Sequence, residues 1–284
     1  MHFGISFFAT DQTLDPVSVA RAVEDRGFES LWLPEHSHIP TSRRTPWGGV
    51  PDAPPLPESY AHTYDSFVAL GAAAAVTSRI KLATGITLLA QRDPIWTAKE
   101  VATLDHLSAG RLILGIGYGW NREEMESHGV SYPRRRTLVR EKLQLMKALW
   151  TQDEASFQGE LISLEPSWAW PKPIQTPHPP IVLGAAAGPR TVTDIVDLCD
   201  GWIPLGRHDH IAGAQSLRAA LAEAGRPEDD IELTHFNAKP TVEFVEQMRD
   251  VGFSRLLFAI PSVAPDEVLR RLDERAEFVR NIAP

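Results

Sequence analysis

Two hydrophobic rhythms alternate along this chain. Short continuous apolar runs read as buried strands, and stretches with apolar residues three and four apart read as helices. The first pair is a strand from His2 to Phe8 and a helix from Pro16 to Arg26, with Asp15 as its N-cap and Gly27 as its stop. Next come a strand from Ser30 to Leu33 and a helix from Tyr64 to Thr77, capped by Thr63 or Asp65. Strand Ile80 to Leu89 leads to helix Pro94 to Leu107, and strand Arg111 to Ile116 leads to helix Arg134 to Trp150. A hairpin over Ala155 to Glu165, turning at Gly159-Glu160, breaks the alternation. It resumes with strand Ile181 to Leu183, helix Arg190 to Leu198, strand Gly201 to Ile203 and helix His210 to Glu223. Strand Ile231 to His235, helix Thr241 to Val251, strand Arg255 to Ile260 and helix Pro265 to Val279 complete the series.

Alternating βα units imply a parallel sheet with helices outside it. Eight units in 284 residues most simply close into a (β/α)8 TIM barrel, one domain spanning residues 1–284. An open doubly wound sheet is the alternative. The prolines locate the surplus length. Of 23, six lie between Pro40 and Pro57 and six between Pro166 and Pro180. Proline breaks both helices and central strands, so these stretches are insertions. One follows strand two, and the other lies between helix four and strand five.

An apolar share of 43% supports a large core, and a net charge of -9 repels phosphate backbones, which disfavours nucleic acid. The single cysteine, Cys199, excludes an internal disulfide and a zinc centre of several cysteines, and fits a reducing cytoplasm. The N-terminus lacks the basic region and long apolar stretch of a signal peptide. The longest apolar run, Phe67 to Val76, is too short to cross a bilayer.

A barrel keeps its chemistry at the C-terminal ends of its strands. Strand two ends in Glu35, His36, Ser37 and His38, where a histidine can trade protons near neutral pH. Metal ligation by His36 and His38 with His208, His210 or His235 is a rival reading of that loop. Strand three ends in Thr84-Gly85-Ile86, with a glycine that permits close approach by a flat ligand or forms a bulge. Strand four ends in Gly115-Ile116-Gly117-Tyr118-Gly119-Trp120, which fails the dinucleotide fingerprint because its third glycine would fall at Trp120. Alternate glycines leave room for a planar ring beside Tyr118 and Trp120, or serve a tightly packed strand end. Strand five ends in Gly184-Ala185-Ala186-Ala187-Gly188, small residues that open a helix and expose backbone N–H groups as an anion site, with Arg190 nearby. The run Arg134 to Arg136 is either a solvated helix start or a grip on an acidic tail. Trp168, Trp170 and Trp202 read as packing and loop anchors.

Taken in order, several strings resemble the bacterial luciferase-like superfamily, and within it the branch that uses coenzyme F420, a deazaflavin. They are Leu31-Trp32-Leu33-Pro34-Glu35-His36, Leu82 to Ile86, Gly110-Arg111-Leu112, and Gly119-Trp120-Asn121-Arg122-Glu123-Glu124. Pro171 to Ile181, Gly188-Pro189-Arg190 and Asp200 to Pro204 continue the likeness over essentially the whole chain. The resemblance implies a ring at the barrel mouth, with His36 beside it as acid or base and Glu35 in support. It implies Thr84, Gly85 and Ile86 beneath the ring, Gly117, Tyr118, Gly119 and Trp120 along its edge, and its phosphate at Gly184, Ala185, Ala187 and Gly188. It also implies a cis peptide at Gly85–Ile86, a homodimer, and hydride transfer to or from a small organic substrate. An FMN-dependent monooxygenase on the same fold is the alternative. The late strand ends match the sugar-phosphate branch poorly.

Overall fold

The computed structural model describes residues 1–206 and 209–282. Arg207 and His208, the latter a candidate metal ligand by sequence, lie outside the described residues. Among the described residues, eight parallel strands close a barrel: β1 (His2–Phe7), β2 (Ser30–Leu33), β3 (Lys81–Thr84), β4 (Leu112–Gly117), β7 (Ile181–Ala185), β8 (Gly201–Pro204), β9 (Glu232–His235) and β10 (Arg255–Ile260). β1 closes the ring by pairing with both β2 and β10, with Ile5 opposite Leu31 on one side and Phe258 on the other. The remaining strands, β5 (Ala155–Gln158) and β6 (Ser163–Ser167), form the antiparallel hairpin expected between the fourth and fifth barrel units.

Helices cover the outside: α1 (Pro16–Asp25), α2 (Ser66–Val76), α3 (Pro94–Leu107), α5 (Arg135–Thr151), α6 (Pro189–Leu198), α7 (His210–Glu223), α8 (Val242–Val251) and α9 (Pro265–Ile282). A further short helix, α4 (Arg122–Ser127), follows β4 and was not expected from the sequence pattern. Its six residues include only one large apolar side chain, the buried Met125, so it carries no periodicity to read. The expected caps are in place. Asp15 accepts from the Val17 and Ser18 N–H groups, and Asp65 rather than Thr63 caps α2 through Val68.

Two apolar layers result. The larger lies between strands and helices, and a smaller one fills the barrel with Trp32, Ala83, Ile113, Val182, Ile203 and Leu257. The N-terminal end of the barrel is plugged by Arg255, which binds Glu29 at 2.9 Å and Glu232 at 2.8 Å. Its guanidinium also lies 5.6 Å from the centre of the Trp32 ring.

β3 is shorter than its apolar run. The ladder stops at Thr84, the Gly85–Ile86 peptide is cis, and Thr87 rejoins β4 in a single bridge to Ile116. Of the two residues between, Gly85 still donates its N–H to the Leu33 carbonyl, and Ile86 is squeezed out of the ladder. Of the three tryptophans read as anchors, only Trp202 is buried, and its indole N–H donates to the Ala185 carbonyl at 3.0 Å. Trp168 and Trp170 stand 79% and 58% exposed because they ride on the proline-rich connection outside the helix layer.

Buried carboxylates tie the loops down. Glu24 on α1 accepts from the N–H groups of Ser78, Arg79 and Ile80 at 2.9, 2.7 and 3.1 Å, fixing the entry to β3. Burial works against its charge, but those three donors hold its carboxyl below the usual carboxylate range. Glu141 on α5 does the same for Glu160, Leu161 and Ile162 at the hairpin tip. Replacing Glu24 by Ala strands three loop donors, so Glu24→Ala should lower unfolding free energy by about 3 kcal/mol in urea titrations. A loss under about 0.5 kcal/mol would show that water replaces the carboxylate at no cost.

Candidate active site

The C-terminal mouth of the barrel gathers most of the chemistry anticipated from the sequence, with two changes of role. Ile86 accounts for the first. A Cβ on Gly117 would come within 2.1 Å of the Ile86 Cδ1, and one on Gly184 within 2.8 Å of the same atom. A Cβ on Gly115 would meet the Thr84 carbonyl oxygen at 2.1 Å. The alternate glycines of β4 therefore do not leave an empty slot. They seat the Ile86 side chain and let the bulged segment lie against β4 and β7. The Thr84 hydroxyl pins that segment by donating to the Gly115 carbonyl at 2.7 Å. Gly85 fits between Trp32 and Phe236, where a Cβ would approach their side chains to 3.1 and 3.2 Å. Gly119 adopts a left-handed φ of 77°, and a Cβ there would press on Met125 at 2.7 Å.

Tyr118 accounts for the second. Its side chain faces α5 and α6 rather than the mouth, so it cannot stack on a ring held over Ile86. Its hydroxyl donates to Asp194 and its ring lies 4.2 Å from the Arg136 guanidinium. Burial and the Asp194 carboxylate push the phenol strongly up, so it stays protonated. The strand alternation that buries Ile116 and Gly117 in turn sends residue 118 outward.

His36 leaves β2 with its side chain 6% exposed, and its Nδ1 lies 2.8 Å from the fully buried Glu124. The same carboxylate accepts from the Ser37 N–H at 3.2 Å and from the Asn121 amide at 3.4 Å. A carboxylate at Nδ1 fixes a proton there and leaves Nε2, which has no partner among the described residues, as the exchangeable nitrogen. Glu35 lies behind. It accepts from the Leu88 N–H at 2.9 Å and from Arg92 at 2.5 Å, and Arg92 also binds Asp65 and Glu100. Burial pushes the Glu35 carboxyl up, and Arg92 works against that. Its partners make Glu35 a brace for the loop after β2. Lys142 braces the same region, donating to the Ala90 and Arg92 carbonyls at 2.7 and 2.5 Å, and burial lowers its pKa to about 8.

The insertion after β2 folds back over His36. Tyr60 lies 5.0 Å from the His36 ring, 5.9 Å from Trp47 and 6.4 Å from Trp120, and Trp120 lies 5.8 Å from His36. Trp120 thus stands at the mouth, and Trp47 and Tyr60 are site neighbours hidden from sequence reading by the proline-rich stretch around them. Glu124 was legible only as part of the Gly119-to-Glu124 string. Its neighbour Glu123 staples the insertion, accepting from the Thr45 hydroxyl at 2.6 Å and the Arg44 N–H at 3.0 Å.

After β7, Gly184 and Ala185 end the strand. Ala187 packs on Gly213, and Gly188 caps α6 without a side-chain bond and with open space around it. The Ala185 carbonyl is taken by Trp202 and the Leu205 N–H, while among the described residues the N–H groups of Ala186, Ala187 and Gly188 have no backbone acceptor. Unpaired amides at the positive end of a helix favour an anion. Cys199 is no nucleophile, since burial pushes its thiol up to about 12. Among the described residues no three His, Cys, Asp or Glu side chains gather to hold a metal ion. His36 faces Glu124, His38 and His128 share the Ser37 hydroxyl, and His210 pairs with His235.

A (β/α)8 barrel with a carboxylate-bound histidine, a bulged apolar floor and an amide-rich loop at its mouth has the layout of an enzyme that holds a flat cofactor. The chain belongs to the luciferase-like monooxygenase family, whose model matches residues 2–259. It is 40% identical over 287 residues to an uncharacterized protein of Mycobacterium tuberculosis, covering 100% of this chain and 98% of that one. It is 31% identical over 220 residues to an F420-dependent glucose-6-phosphate dehydrogenase of Kineococcus radiotolerans, covering 74% of this chain and 59% of that one. The monooxygenase RslO1 from Streptomyces bottropensis has the same fold, with a TM-score of 0.79 at 19% identity over 99% of both chains. The protein is thus an enzyme of the luciferase-like class, and its relatives point to a deazaflavin or flavin cofactor.

Glu123 makes the insertion sensitive to charge. Burial opposes its ionisation, but the Thr45 hydroxyl and the N–H groups of Arg44 and Thr45 hold its carboxyl down at about 2. A depressed carboxylate stabilises the folded form above its unfolded pKa, about 4.3, and loses that contribution as pH falls towards its folded value. In Glu123→Ala at neutral pH, amide protection across residues 40–57 should fall about tenfold. The difference from wild type should shrink as pH approaches 2. Unchanged protection at neutral pH would remove Glu123 from that role.

Proposed function

We propose that this enzyme is an oxidoreductase that moves a hydride between a deazaflavin of the coenzyme F420 type and a small organic substrate. The observation that carries the reading is the Ile86 floor, set between the His36–Glu124 pair and the free amides of Ala186 to Gly188. An apolar platform with an amide-rich end fits a planar ring with an anionic arm. Thr84, Gly85 and Ile86 would support the ring, with Gly117, Gly119 and Trp120 along its edge and only the backbone of Tyr118 in reach. Gly184, Ala185, Ala187 and Gly188 would line the phosphate. When bound, the deazaflavin supplies the hydride chemistry at its C5 carbon.

The chain's own residues then have distinct tasks. Glu124 holds the Nδ1 proton of His36, so Nε2 can take or give a proton to substrate. Glu35, held by Arg92 and Leu88, keeps the His36 loop in place. The insertion with Trp47 and Tyr60 excludes water above the ring. Beside Gly184 and Gly85, Leu205 and Phe236 pack with Ile86 on the barrel core. That apolar wall favours an uncharged organic substrate over a sugar phosphate, the substrate class in the name of the 31% identical relative. The lone reduced cysteine fits the cytoplasm. The exposed Val68, Ile95 and Trp96 on α2 and α3 offer a homodimer an apolar face.

The family name favours a second reading, a monooxygenase that uses reduced FMN and oxygen on the same site. Anaerobic titration with F420 and FMN side by side should give the tighter complex with F420. Tighter FMN binding with oxygen uptake by the reduced flavin would replace the first reading with the second. Within either, His36→Ala should cut turnover by about 100-fold or more while cofactor affinity stays essentially unchanged. Undiminished turnover would remove His36 from proton transfer.

A further inference from the structure

The run Arg134 to Arg136 divides in the fold. Arg134 pairs with Glu160 on the hairpin. Arg135 and Arg136 instead join Arg122 on two tyrosine rings. Arg135 lies 3.7 Å and Arg122 4.8 Å from the centre of Tyr132, and Arg136 lies 4.2 Å from that of Tyr118. Among the described residues none of the three has a carboxylate in ion-pair reach. Nearby acids are engaged elsewhere. Asp194 binds Tyr118 and Arg140, Glu123 binds Arg44 and Thr45, and Glu124 binds His36. The Arg135 Nε is buried and makes no hydrogen bond. Burial, together with the charges of Arg136 and Arg122, pushes its guanidinium down.

Three crowded cations in a chain of net charge -9 are out of keeping with the rest of the surface. An orphaned, buried guanidinium nitrogen marks donor capacity that the protein itself does not use. The cluster also adjoins the amide-rich loop. Both terminal nitrogens of Arg136 lie 3.4 Å from the Thr191 hydroxyl, in the first turn of α6, just beyond Gly188.

We propose that Arg122, Arg135 and Arg136 form a second anion subsite, which takes carboxylates on an extended anionic tail of the cofactor. The proposal rests on the reading that the loop from Ala186 to Gly188 takes that cofactor's phosphate. FMN ends at its phosphate monoester and has nothing to offer the cluster. A deazaflavin of the F420 type continues past its phosphate into a chain of glutamates. Arginine forks match carboxylates in pairs, and stacking on Tyr132 holds two of the forks ready. The subsite thereby selects between the two candidate cofactors by the length of the charged arm rather than by the ring.

Equilibrium fluorescence titration of the whole protein tests this with F420 carrying several glutamates, the same molecule without glutamates, and the deazaflavin riboside without phosphate or tail. Wild type should bind the tailed form about tenfold or more tighter than the tailless form, with a steeper loss of affinity on adding salt. Arg122→Gln with Arg135→Gln should erase that advantage and leave the tailless form and the riboside unaffected. Arg122→Lys with Arg135→Lys should restore part of it. Equal affinity of wild type for tailed and tailless forms overturns the subsite and leaves the cofactor reading standing. This comparison needs no variant to fold. Failure of every deazaflavin to bind, with FMN bound, overturns both.

Discussion

The seating of one isoleucine on glycines organises the mouth of this barrel. Ile86 leaves the β3 ladder and lies where side chains at Gly117 and Gly184 would otherwise project. Its neighbours Thr84 and Thr87 re-anchor the chain on β4. The floor of the site is therefore a close-packed contact, and close-packed contacts tolerate no added carbon. An alanine at Gly117 would lift the floor rather than fill a space beside a ring. The glycines serve the ligand at second hand, by fixing the height of the surface it would rest on.

Charge is used sparingly and always with a partner in the interior. Glu24, Glu141 and Asp105 each collect loop N–H groups that have no ladder to join. Arg255 plugs the closed end with two carboxylates, and Lys142 spends its ammonium on carbonyls. Breaking any of these leaves a buried polar group unpaired, which costs more than the bond is worth when made. Among the described residues, the amides before α6 without a backbone acceptor and the arginines beside Tyr118 and Tyr132 without a carboxylate stand out against that economy.

Much of the architecture was legible in the chain because periodicity reports burial directly. The eight barrel strands stand out as short apolar runs and most of their helices as stretches with apolar residues three and four apart, and the expected caps follow from single residues such as Asp15 and Asp65. What escaped is what periodicity cannot carry. The apolar run to Leu89 hides where the ladder ends, since bulged and paired residues are equally apolar, and only Gly85 and the family resemblance point to the break. Short α4 has too few turns to repeat a pattern. Alternate glycines and the family resemblance point Tyr118 towards the ring, whereas alternation from the inward-facing Ile113 fixes the opposite face. The link from His36 to Glu124 spans 88 residues, so only the fold brings it together.

Glu123 and Glu124 are consecutive, yet one holds the cover over the site and the other holds the histidine beneath it. A single turn of helix is thus a shared hinge pin for access and for proton transfer. Among descendants of one ancestral gene, the covering segment cannot be exchanged or resized alone. A grafted loop of new specificity must arrive together with its own version of that turn, or the histidine it covers loses its bearing.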